Sequence, residues 1–127
     1  MNVVDSCGWL EYFADGANAD YFAPAVENVA LLVVPAISLF EVFKRILQQR
    51  SEDDALRAVA VMQQGRVVAM DGALALSAAR LSFDLKLPMA DSIILSTARL
   101  YDATLWTQDD DFEKIPGVRY VKNKGLS

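Results

Sequence analysis

The chain has 127 residues, 54% of them hydrophobic, and a formal net charge of −5, which gives room for one domain spanning residues 1–127 and argues against a broad basic surface for gripping nucleic acid. A lone Cys7 excludes an intrachain disulfide and a multi-thiolate zinc site, and the absence of histidine removes imidazole bases, His-ligated metals and Ser-His-Asp triads. The remaining chemical equipment is carboxylates, hydroxyls, lysine, arginine and tyrosine, and carboxylates favour hard cations such as Mg²⁺ or Mn²⁺.

In chain order, Asn2 to Asp5 reads as a short buried strand, with Asp5 at its exit. A Ser6, Cys7, Gly8 turn leads into a short helix carrying Trp9, Leu10, Tyr12 and Phe13. A less regular helix covers about Ala17 to Ala30, with Asn18 as its cap and Pro24 weakening its middle. Leu31 to Val34 forms a continuous apolar strand that Pro35 helps to end. Ser38 to Gln49 is a helix whose apolar stripe is Leu39, Val42, Phe43, Ile46 and Leu47.

Ser51 caps the next helix, Glu52 to Gln64, whose opening acids suit its positive end; Gly65 stops it. Arg66 to Met70 is a third strand, and Asp71 with Gly72 opens a helix striped by Leu74, Ala78, Leu81 and Leu85. Pro88 starts a helix from Met89 to Tyr101 that is apolar on nearly every face and therefore buried. Thr104 to Thr107 is the fourth strand and empties into Asp109, Asp110 and Asp111; after a Pro116–Gly117 turn, Val118 to Val121 supplies a fifth. The tail, Lys122 to Ser127, is polar and loosely held.

Helices alternating with short, fully apolar strands predict an α/β fold: a mostly parallel sheet of four or five short strands with helices on both faces, in three layers. The longest apolar run, Val29 to Ile37, is broken by Pro35 and falls short of the roughly 20 residues of a membrane span. The N-terminus lacks the basic region and apolar core of a secretory signal, so the expectation is a cytoplasmic protein without membrane contact.

Four acids sit where such a sheet would gather ligands, at the carboxyl ends of its strands. Asp5 and Asp109 leave two strands, Asp91 opens the buried helix, and Glu41 lies early in the helix after the second strand. Each also has an ordinary explanation. Asp5 can be an N-cap; Ser38 and Glu41 read as a capping box, with a helical wheel sending Glu41 to solvent; Asp91 complements a helix dipole; the three adjacent aspartates can be a solvated loop. Ser6 and Thr107 are small hydroxyls beside the first and last acids. Four acids converging on one sheet edge would drive some pKa values up unless a divalent ion neutralised them.

The segments NVVDS, ISLFE, LPMADSIILSTA and WTQDDDF, in this order and spacing, resemble the PIN-domain ribonucleases, in particular the toxins of VapBC-type toxin–antitoxin pairs. The resemblance implies Asp5, Glu41, Asp91 and Asp109 as a catalytic and metal-holding quartet for Mg²⁺ or Mn²⁺, with Asp111, Ser6 and Thr107 auxiliary. It implies hydrolysis of RNA phosphodiesters, a homodimer, and inhibition by a small cognate antitoxin. Two readings compete: a receiver domain phosphorylated on Asp71 with Thr107 as its switch hydroxyl, and a catalytically silent module of the same fold. Lys44, Arg45, Arg50, Lys86 and Arg99 are candidate phosphate contacts.

Overall fold

The computed structural model describes residues 1–124. Five strands, β1 (Asn2–Val4), β2 (Leu32–Pro35), β3 (Arg66–Val68), β4 (Thr104–Thr107) and β5 (Val118–Tyr120), form one sheet in the order β3-β2-β1-β4-β5, and every neighbouring pair is parallel. The helices are α1 (Ser6–Phe13), α2 (Ala19–Glu27), α3 (Ala36–Gln49), α4 (Glu52–Met62), α5 (Gly72–Leu85) and α6 (Met89–Leu100). The expected α/β architecture is borne out, fifth strand included. No helix among the described residues is long and apolar enough to cross a membrane.

Strand alternation explains the layers, because successive side chains leave opposite faces. Val4, Leu32, Val34 and Trp106 point into one core, shared with Trp9, Phe22, Val42, Ile46 and Met62 from α1 to α4. Val3, Val33 and Leu105 point the other way, against Ile94, Leu95 and Ala98 of α6 and against Phe112. Since α6 packs on the sheet and also under α5, its residues 92–98 are all buried, which is why its sequence is apolar all round.

Local chemistry sets several boundaries differently from the sequence expectation. The helix begun near Ala17 stops at Glu27 and gives way to a 3₁₀ turn, Val29–Leu31. Asn18 precedes that helix but makes no capping hydrogen bond; its side chain is used elsewhere. The strand β2 keeps Pro35, whose φ of −61° and ψ of 136° serve at once as the last strand residue and the N-cap of α3. The helix therefore starts at Ala36, two residues before Ser38, and the capping box does not form. Ser38 Oγ is instead buried without a hydrogen-bond partner among the described residues.

The face of α3 turned to the core is Ser38, Val42 and Ile46. Glu41, one position or about 100° from Val42, is then carried to the edge of the buried face instead of out to solvent. The capping expectation for Ser51 holds, its Oγ accepting from Asp54 N at 3.1 Å, and Asp71 caps the helix it opens, its Oδ1 accepting from Leu74 N at 2.8 Å. In the tail, Lys122 is tied by its carbonyl to Asn18 Nδ2 at 3.0 Å, against the expectation of a loose start, while 125–127 lie outside the described residues.

The approach of α1 to the sheet depends on Gly8. A Cβ there would sit 2.7 Å from Val4 Cγ1 and 2.8 Å from Phe22 Cε1, both in fully buried side chains that have no room to yield. Gly8→Ala will destabilise the fold by about 2 kcal/mol, the usual scale of overpacking. The urea midpoint checks it, and an unshifted midpoint would mean that the β1–α1 junction gives way more easily than this packing implies.

Candidate metal centre

In this strand order the chain crosses to opposite sides from β1 and β4, and the crevice at their carboxyl ends is where open α/β sheets bind ligands. Asp5 leaves β1 into that crevice and caps α1, with Oδ1 accepting from Gly8 N at 2.9 Å. The Cys7 thiol lies 3.1 and 3.2 Å from the two Asp5 oxygens and donates to them, and the Thr107 hydroxyl donates to Oδ2. Asp5 is only 2% exposed. Burial outweighs these hydrogen bonds and, with the Asp109 charge, lifts its pKa from the ordinary 3.8 to about 6. The same burial, together with the Asp5 carboxylate, pushes the Cys7 thiol far up and leaves it a neutral donor.

Thr107 closes β4 and joins the two strand exits. Its Oγ1 accepts from Asp109 N at 2.9 Å while its proton goes to Asp5. Asp109 Oδ1 in turn accepts from Asp111 N at 2.9 Å, which curls the loop into a short 3₁₀ turn, Asp110–Phe112. The buried ring of Phe112 anchors that turn in the second core. Burial raises the Asp109 pKa, as do the charges of Asp111 and Asp110.

Asp91, in the first turn of α6, faces this group. Its pKa rises to about 7, first through burial and then through the charges of Asp109, Asp5, Asp111 and Glu41. Glu41 reaches in from α3 and accepts from Ser6 Oγ at 2.5 Å. Asp5, Glu41, Asp91 and Asp109 thus line one cavity of about 420 Å³, together with Ser6. Thr107 lies buried behind Asp5, and Asp111 is exposed at the rim.

The tightest grouping is not the full quartet. Asp91, Asp109 and Asp111 each offer a carboxylate oxygen within 4.8 Å of the others. Asp5 and Glu41 share the cavity but stand outside that group, one seated deep on α1 and Thr107, the other held by Ser6. Among the described residues the ion pairs are Arg57–Asp54 and Arg80–Asp84, so none of these acids is matched by a basic side chain. Asp71, the residue a receiver reading requires, does not line this cavity.

Two features escaped the sequence reading. Cys7 was counted for disulfides and not as a donor to Asp5, although its place two residues after a strand-exit acid was a signal. A buried amide pair behind the loop was also missed: Asn18 Nδ2 donates to Gln108 Oε1 at 2.9 Å, and Glu11 Oε2 accepts from Asn18 N at 2.7 Å. These contacts span up to 90 residues, and no local pattern announces them.

A family profile described as PIN domain matches residues 3–118. A chain of a toxin–antitoxin complex from Klebsiella pneumoniae is similar in fold, with 23% identity and a TM-score of 0.80 over 94% of this chain and 96% of that one. VapC20 from Mycobacterium tuberculosis, described as a sarcin–ricin loop cleaving toxin, superposes with a TM-score of 0.76 at 15% identity, over 91% of this chain and 95% of that one. A chain of VapBC-1 from nontypeable Haemophilus influenzae gives 0.70 at 18% identity, over 95% and 96%. No curated protein matches the chain.

Proposed function

The chain belongs to the PIN domain family, and on that premise we propose that it is a metal-dependent endoribonuclease acting as the toxin of a toxin–antitoxin pair. The observation that carries the reading is the convergence of Asp5, Glu41, Asp91 and Asp109 on one cavity with no basic side chain paired to them. Burial, with repulsion from neighbouring acids, raises the pKa values of Asp5 and Asp91 to about 6 and about 7, a cost that a hard divalent cation would remove. An all-oxygen donor set of this kind fits Mg²⁺ or Mn²⁺.

Asp91, Asp109 and Asp5, with Glu41 across the cavity, would hold that ion and serve as the catalytic acids. When bound, it lowers the pKa of an attacking water and offsets charge on the phosphodiester. Around it the protein supplies orientation. Thr107 fixes the Asp5 carboxylate and the Asp109 main chain together, Ser6 turns Glu41 inward, and Asp111 extends the oxygen set at the rim. No histidine is needed in such a scheme, in keeping with the composition.

The partner side of the proposal is a small cognate antitoxin covering the acidic cavity, and a homodimer in a cytoplasmic setting, all within one PIN unit. The apolar side chains Leu76, Phe83 and Met89, respectively 76%, 81% and 71% exposed on α5 and at the start of α6, support a second copy at that face.

The test is cleavage of total cellular RNA by purified protein. With Mn²⁺ or Mg²⁺ we expect discrete fragments, and with EDTA none. Fragments that persist in EDTA, or folded, metal-loaded protein that cuts no RNA pool, would remove this reading and leave the silent-module alternative.

A further inference from the structure

Next to the acids, three side chains close a ring of hydrogen bonds that the metal centre itself does not use. Asn18 donates from its main-chain N to Glu11 Oε2 at 2.7 Å and from Nδ2 to Gln108 Oε1 at 2.9 Å, and Gln108 Nε2 returns to Glu11 Oε1 at 3.4 Å. Asn18 Nδ2 also donates to the Lys122 carbonyl at 3.0 Å. Asn18 and Gln108 are only 3% and 6% exposed. The ring closes in one sense alone. The Lys122 carbonyl and the Glu11 carboxylate can only accept, so the Asn18 amide must turn its NH₂ toward Lys122 and the Gln108 amide its NH₂ toward Glu11.

Buried amides need partners in any fold, and satisfying them is the plainest use of such a ring. Its attachments go further. Asp109 follows Gln108 directly, and Asp5 caps the helix that carries Glu11 six residues on, about 9 Å along the same axis. The ring therefore ties the element that delivers Asp5 to the residue that delivers Asp109, as a second link besides Thr107. Gly16 makes the link possible. A Cβ there would stand 2.5 Å from Glu11 Cδ and Oε2, so the missing side chain is what lets Glu11 fold back to meet Asn18 and Gln108.

We infer that Glu11, Asn18 and Gln108 are positioning residues for the metal centre: their ring holds Asp109 in a fixed place relative to Asp5, and opening it weakens the hold on the ion without altering any residue that binds it. This rests on the metal reading of the acids and on nothing about RNA.

The experiment is calorimetric titration with Mn²⁺ at pH 8, well below the melting temperature of each variant. Gln108→Glu keeps the acceptor for Asn18 but sets a second carboxylate against that of Glu11. Charge alone would tighten Mn²⁺ binding, since the variant is more negative beside Asp109. The opened ring will instead weaken it about tenfold, the lower end of what the loss of supporting groups costs a metal site. Adding Glu11→Gln brings an amide to face the new carboxylate, closes the ring again at the wild-type net charge, and will return the affinity to within about twofold of wild type. Gly16→Ala changes no charge and crowds only the flexible end of Glu11, so it keeps the fold and will weaken binding by about the same factor as Gln108→Glu.

Mn²⁺ binding at or above wild-type strength by folded Gln108→Glu, or by Gly16→Ala, overturns the proposal and leaves the ring to the fold. A double variant as weak as Gln108→Glu overturns it too, because the two side chains would then act independently. Should Gln108→Glu not fold, Gly16→Ala and the double variant decide the matter by the same measures. The predicted effects in a protein that cuts no RNA keep the positioning role and remove the ribonuclease reading, and wild type that takes up no Mn²⁺ removes both.

Discussion

Asp91→Asn will reduce metal-dependent RNA cleavage by about a thousandfold, several kcal/mol of charge stabilisation, and will at the same time raise the melting temperature of the metal-free protein at pH 8. The two effects have one cause. Asp91 sits among Asp109, Asp5, Asp111 and Glu41 without a basic partner, and its pKa is raised from 3.8 to about 7. In the unfolded chain the group ionises near its ordinary value, while in the folded chain it holds its proton to about neutrality. Its contribution to stability is therefore full in acid and lost as pH rises from about 4 to 7. At pH 8 the folded state carries the whole penalty.

Asn removes that charge and keeps the shape. Because Asp91 is partly exposed, solvent screening cuts the gain to about 2 kcal/mol, or very roughly 5–10 °C in melting temperature for a chain of this size. Below pH 4 the variant and wild type should melt alike. Saturating Mn²⁺ should reverse the order at pH 8, since only wild type gains a full metal site. Calorimetry at the two pH values, with and without Mn²⁺, reads all four cases. An Asp91→Asn protein that melts lower than wild type in metal-free buffer at pH 8 would show that the acids are not held in mutual repulsion.

Much of this site was legible because its acids belong to periodic elements. The buried strands Asn2–Val4 and Thr104–Thr107 announce themselves by β-branched and aromatic runs, and Asp5 and Asp109 follow from where those runs end. The all-apolar helix around Ile93 to Leu95 places Asp91 by its first turn. Glu41 shows the limit. Its local sequence offered a capping box and a solvent-facing wheel; Pro35 removes the first by letting α3 begin straight from β2, and the second fails because the face turned to the core is Ser38, Val42 and Ile46, beside Glu41. The tie of Asn18 to Gln108 depends on where folding brings segments 90 residues apart, and single-residue propensities carry no such information, whereas the tie of Cys7 to Asp5 is local, two residues from a strand exit. The edge strand β3 was overestimated for a related reason. Only Arg66–Val68 pairs with β2, because Val68 lies opposite Pro35, where β2 ends and the chain turns into α3, which leaves Ala69 and Met70 no strand to pair with.

Lowering the pH from 8 to 6 will weaken Mn²⁺ binding roughly twentyfold, as expected when a cation must displace protons from two carboxyls with pKa values of about 6 and about 7. At pH 8 both groups are largely ionised and the cation competes with little; at pH 6 Asp91 is mostly protonated and Asp5 about half so. Titration calorimetry in buffers of differing ionisation enthalpy will then find about one proton released per ion at pH 6.5, and almost none at pH 8. Asp91→Asn separates the two carboxyls. It will lower affinity at both pH values, yet the remaining change from pH 8 to 6 should shrink to about twofold, the share left to Asp5. Compensation, not burial, decides which acid dominates: the more deeply buried Asp5 keeps donors in Gly8, Cys7 and Thr107, whereas the charges that raise Asp91 are all of its own sign. Metal affinity that is flat between pH 6 and 8 would mean that the ion sits clear of both groups, on Asp109 and the rim, and that the deep half of the cavity serves the fold alone.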